Sequence, residues 1–162
     1  MKPSVYIESS IVSYLVARPS RDAAMAHRQR QTRDWWENRR AEYRLFSSEL
    51  VLREVLQGEP EMARERVASM NDVSLLRARP EAESLARALV EYGPLPANAR
   101  PDAGHIAMAA VAGLDYLLTW NSKHIANPRM YPKIARLCRD RGFAPPVLCT
   151  PDALLRRWQD DG

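Results

Sequence analysis

Cysteine is almost missing from this 162-residue chain, with Cys138 and Cys149 the only two. They have neither the density of a disulfide scaffold nor the paired spacing of a metal ligand set, so both read as reduced thiols. Histidine is nearly as scarce. Neither His105 nor His124 has another histidine or a cysteine at ligand spacing, which argues against a zinc site. Glycine numbers only six, and no glycine-rich phosphate loop follows the first apolar run. No apolar stretch approaches the ~20 residues a membrane-spanning helix needs. There is no signal-peptide pattern after Met1-Lys2-Pro3, and a cytoplasmic location is the expectation. Lysine occurs only at 2, 123 and 133, so the formal charge of +4 rests almost wholly on arginine. Excess positive charge favours polyanionic partners through counterion release. Coding composition also produces an arginine bias, so charge alone identifies no partner.

What remains is ordinary for a globular protein: 46% hydrophobic and 27% charged residues. The length suits a single domain over 1–162, able to bury about two-thirds of its unfolded surface. There is no internal repeat, low-complexity tract or long linker. Short β-rich runs at 4–7, 43–47, 73–76, 116–119 and 147–149 alternate with helical patterns. The helices are expected at 10–17, 21–41, 49–56, 61–69, 81–92, 102–112 and 133–141, with a last one opened by Thr150-Pro151-Asp152. Gly113 and Gly142 read as helix stops, and the proline-rich stretch 93–101 as the loop delivering Asp102 to its helix. Apolar strands separated by helices imply an α/β fold with a central parallel sheet of about five strands, covered on both faces.

Three acids stand at element ends. Glu8 closes the apolar run Val5-Tyr6-Ile7, and Glu54 follows Leu50 and Val51 by one helical turn on the inward stripe. Asp102 stands four residues before Ile106, on the same face of its helix. Buried carboxylates are costly unless paired, hydrogen-bonded or bound to a cation. Ligands of open parallel sheets sit beyond the carboxyl ends of the strands. Glu8, Ser48 and Asn121 follow strands there, and the helix opened by Asp102 starts at the same edge. Asp115 precedes its strand and falls at the opposite edge.

These pieces resemble the PIN-domain nucleases, in particular the VapC-like toxins of bacterial toxin–antitoxin pairs. The matching segments are Ile7-Glu8-Ser9-Ser10, Ser48 with Glu54 six residues on, Pro101-Asp102-Ala103-Gly104-His105, and Leu118-Thr119-Trp120-Asn121. Together they span most of the chain. The resemblance implies a three-layer PIN-like fold and a metal-dependent endoribonuclease. Its metal, Mg²⁺ or Mn²⁺, would be held by Glu8, Glu54 and Asp102. Asn121 completes the catalytic set, with Ser10 and Thr119 orienting its members. The same resemblance implies an RNA substrate, a cognate antitoxin protein and a homodimer. Two positions depart from the family pattern. Glu8 stands where aspartate is usual, and Asn121 where the fourth acid is usual, which opens the alternative of a catalytically impaired binding module.

Each residue also has a plainer reading. Glu54 can pair with an arginine, while Glu8 and Asp102 can cap their helices. His105 reads as a packed or rim histidine, and Lys123 and His124 as a solvated loop. The segment 18–44 interleaves arginines with Trp35 and Trp36; packing on the sheet is favoured there over antitoxin contact, and antitoxin contact over RNA stacking.

Overall fold

The run Val5-Tyr6-Ile7 becomes the middle of the molecule. In this computed structural model, which describes residues 1–160 and side chains as far as Arg156, it lies in β1 (Ser4–Ile7), buried at every position. Helices α1 (Ser9–Val16) and α2 (Ala23–Asn38) lead to β2 (Arg44–Ser48), and α3 (Glu49–Val55) and α4 (Pro60–Ser69) to β3 (Ser74–Leu76). Then α5 (Pro80–Glu91) and α6 (Arg100–Val111) lead to β4 (Tyr116–Leu118), α7 (Tyr131–Asp140) to β5 (Val147–Cys149), and α8 (Pro151–Asp160) follows.

All strand pairs are parallel, in the order β3-β2-β1-β4-β5. The register sets Val5 between Leu45 and Tyr116. Right-handed crossovers put α1 to α4 on one face and α5 to α7 on the other. The packing agrees, with α1 against α2 and α4, and α5 against α6 and α7. The expected three-layer α/β arrangement is thus the observed one. A strand covered on both faces cannot alternate polar and apolar residues, which is why β1 reads as continuously apolar.

The order of strands matters most for the site. The chain builds outward from β1 to β3, then returns past β1 to lay down β4 and β5 on the other side. Connections leaving β1 and β4 therefore diverge, and open a crevice at the carboxyl ends of those two strands.

Several boundaries differ from expectation for local reasons. Helix α2 starts at Ala23 because the Asp22 carboxylate accepts the Met25 N–H at 2.9 Å, and Arg40–Glu42 winds into a 3₁₀ turn instead of continuing it. Helix α6 begins at Arg100 with Pro101 in its first turn, so Asp102 lies inside the helix and caps nothing. Gly113 ends that helix at φ +69°, a conformation other residues enter only at a cost of about 1–2 kcal/mol. Trp35 is fully buried, its ring 5.5 Å from Tyr43, which in turn packs edge-on to Tyr116 at 6.0 Å. The packing reading of the 18–44 segment therefore holds at Trp35. Neither cysteine is in a disulfide, and burial pushes the Cys138 thiol up to about 11.

Candidate active site

Glu8 is the first residue past β1 and the N-cap of α1. Its Oε2 accepts from the Ser9 hydroxyl at 2.7 Å and the Ser10 N–H at 3.1 Å. Its Oε1 accepts from the Ser10 hydroxyl at 2.5 Å and from Thr119, the first residue past β4, at 2.6 Å. A carboxylate offers about four lone-pair positions, and here each is filled. The capping reading of Glu8 is therefore realised, and extended across the β1/β4 crevice. Ser10 Oγ also accepts the Trp120 N–H at 2.8 Å, and Thr119 Oγ1 the Asn121 N–H at 2.9 Å.

From Asn121 the chain of contacts continues. Its side-chain Oδ1 accepts the His124 N–H at 3.0 Å, and its backbone carbonyl takes the Ala126 N–H at 2.8 Å. That turn presents the His124 ring to α6, where Nδ1 lies 2.9 Å from Asp102 Oδ2. The loop reading of His124 gives way to a paired, largely buried ring, because the Asn121 turn folds it inward; Lys123 stays exposed.

Glu54 occupies the last turn of α3. Val51 and Val55 keep the inward stripe, whereas the Glu54 side chain is 37% exposed and stands at the rim. Its Oε1 lies 2.5 Å from Nε2 of His105, a residue only 1% exposed. The approach is off the ring's N–H axis, so the pair is in contact without forming an aligned hydrogen bond. The other ring nitrogen, Nδ1, meets the Tyr6 hydroxyl at 2.8 Å, and that hydroxyl meets Ser48 Oγ at 2.6 Å. Burial raises the Tyr6 phenol above its ordinary range, and the negative charges of Glu8 and Glu54 push it further the same way, against the Ser48 hydrogen bond. Glu54 therefore pairs with a histidine, not the arginine of its plain reading.

Two strings of polar contacts thus run along the carboxyl edge of the sheet. One joins Glu8, Ser10, Thr119, Asn121, His124 and Asp102. The other joins Ser48, Tyr6, His105 and Glu54. Tyr6 feels both Glu8 and Glu54, and His105 stands one turn from Asp102 on α6. Asp115 lies at the far edge, as its position before β4 implies, accepting the Ser4 N–H at 2.8 Å. Tyr6, His105 and His124 are the members that sequence reading did not assign to the site. The one available signal was chemical, since a tyrosine in a buried strand needs a partner for its hydroxyl.

Among the described residues, no three acids, histidines or cysteines converge into a group that would hold a metal by protein ligands alone. Among the described residues, Glu54 Oε2 and Asp102 Oδ1 have no hydrogen-bond partner. Two carboxylates on neighbouring helices, the Glu54 side chain 37% and the Asp102 side chain 20% exposed, could hold a hard cation only if it kept most of its water, the usual manner of Mg²⁺ and Mn²⁺. They do not suit a closed cage. Beside the rim, Trp120 packs edge-on to Tyr14 at 6.2 Å, with the Arg28 guanidinium 5.7 Å from its ring centre.

No helix among the described residues is long and apolar enough to cross a membrane. Compared with protein-family models and with curated proteins, the chain matches none.

Proposed function

We propose that this protein is a metal-dependent endoribonuclease of the PIN type, the toxin of a toxin–antitoxin pair. The observation that carries the reading is the site's position. Glu8, Thr119, Asn121, His124 and Asp102 are linked in one string past the carboxyl ends of β1 and β4, and Glu54 faces His105, one turn along α6 from Asp102. When bound there, Mg²⁺ or Mn²⁺ supplies a polarised phosphate, a water of lowered pKa and compensation for developing charge. Glu54 and Asp102 are the residues that would hold it. Glu8, fixed by four donors, ties the end of β1 to the end of β4. Asn121 shapes the turn that brings His124 to Asp102, and that contact orients the Asp102 carboxylate. Arg28 and Trp120 flank the crevice with the cation and aromatic faces that suit an unpaired nucleotide. Action in the cytoplasm, as a homodimer restrained by an antitoxin, belongs to the same proposal and rests on the resemblance.

One observation favours a second reading, that of a PIN-fold binding module without catalysis. Glu8 has no lone pair left for a cation, and the Asn121 Oδ1 is spent on the His124 N–H. Both readings are tested by incubating purified protein with total bacterial RNA in Mg²⁺, Mn²⁺ or chelator, beside Asp102→Asn. The nuclease reading expects discrete fragments from wild type only when metal is present. Intact RNA from wild type, with cleavage restored in the Glu8→Asp/Asn121→Asp double variant, would establish the impaired module instead. Intact RNA with both proteins removes the nuclease altogether. Growth arrest on induction, relieved by Asp102→Asn, tests the toxin role.

A further inference from the structure

His105 is a histidine with almost no access to solvent, set between a tyrosine and a carboxylate that belong to different elements. Its tautomer follows from counting donors. Val51 N–H donates to Ser48 Oγ at 3.4 Å, so the Ser48 hydroxyl must spend its own proton elsewhere. The Tyr6 oxygen, 2.6 Å away, is the acceptor in reach, and the Tyr6 proton then goes to His105 Nδ1. Nδ1 is thereby the acceptor, and the ring's proton sits on Nε2, facing Glu54. The opposite tautomer sets a nitrogen lone pair 2.5 Å from a carboxylate oxygen. Of the two tautomers, only this one sets a proton, and not a lone pair, between the ring and Glu54.

We infer that His105 is a positioning residue for Glu54. A one-way string starting at the Val51 amide of α3 fixes the imidazole as the Nε2–H tautomer, and the ring then fixes the carboxylate on the same helix, three residues further on. This deepens the proposed nuclease reading and rests on it for its consequence in cation binding. The string closes a loop between β1, β2, α3 and α6, so the direction of Glu54 Oε2 is set by three other elements.

The test uses the full chain, labelled with ¹⁵N, and long-range proton–nitrogen correlation of its imidazoles, beside Mn²⁺ binding followed by the spin-resonance signal of free Mn²⁺. The expected result is His105 carrying its proton on Nε2 and none on Nδ1, with the Nε2–H resonance shifting in Glu54→Ala. Mn²⁺ affinity should fall about 10- to 100-fold in His105→Ala and return to within about threefold of wild type in His105→Gln, whose amide supplies an N–H at the same reach. A proton on Nδ1, or an Nε2–H resonance indifferent to Glu54→Ala, overturns the assignment. So does unchanged Mn²⁺ affinity in a folded His105→Ala. Should wild type bind no Mn²⁺, the cation reading of the site fails, and the imidazole resonances alone still decide the positioning role. Those wild-type resonances also decide it if the His105 variants do not fold.

Discussion

Glu8 is the residue on which the two halves of the sheet depend. Removing one of its donors leaves a buried carboxylate short of a partner, a loss of about 1–3 kcal/mol. Thr119→Val also strips the acceptor from the Asn121 N–H, while Thr119→Ser keeps the hydroxyl. Urea midpoints should fall for the valine variant and stay near wild type for the serine one; equal midpoints would mean the hydroxyl does not matter. Asp102→Asn keeps the size of the side chain and deletes its charge. It should leave the unfolding free energy from urea titration within about 1 kcal/mol of wild type while lowering cleavage by about two orders of magnitude, the scale of losing one group that stabilises developing charge. Glu8, Ser10, Thr119 and Asn121 were legible in the sequence because each falls at or just past the end of an apolar run. His105 was not, because its partners Tyr6 and Glu54 lie on other elements, 99 residues away in the case of Tyr6. No local spacing encodes that meeting.

At the scale of elements, the helix stops differ in kind. A methyl group added at Gly93 would sit 2.5 Å from the Leu89 carbonyl oxygen, whereas at Gly113 it meets nothing within 4 Å. Gly113→Ala should cost only its backbone strain, about 1–2 kcal/mol, and Gly93→Ala more, because a backbone atom of α5 must move. Denaturant unfolding of the pair decides this, and the reverse order would refute it. Helix α7 carries Cys138, whose thiol is raised from 9.0 to about 11 by burial. The thiolate is the reactive form, so at pH 8 its population should be roughly a hundredfold below that of a thiol at 9.0, rising tenfold per pH unit until about 11. Disulfide-exchange labelling of the native protein should therefore modify Cys138 slowly at pH 8 and about tenfold faster for each pH unit up to about 11. The elements themselves were legible from periodicity. Their ends were less so, since the Asp22 cap and the 3₁₀ turn at Arg40–Glu42 are choices of local hydrogen bonding that periodicity does not register.

For the whole molecule, parallel pairing could be read from continuously apolar strands, but the strand order could not, because the neighbours of β1 are set by long crossovers. That order predicts a gradient of protection. Amide hydrogen exchange should be slowest in β1, which is paired on both sides and wholly buried, and fastest among the strands in β3, an exposed edge. Equal protection of the two would contradict the arrangement. The same order has a consequence for how the protein is made. Thr119 closes the cradle of Glu8 from 111 residues downstream. At 5–20 residues per second, that interval of synthesis lasts roughly 5–20 s. Throughout it, the strand that ends at Glu8 lacks at least one of its two neighbours. A growing chain therefore carries a half-built crevice past the ribosome that is making it. The crevice is completed only after β4 has been synthesised.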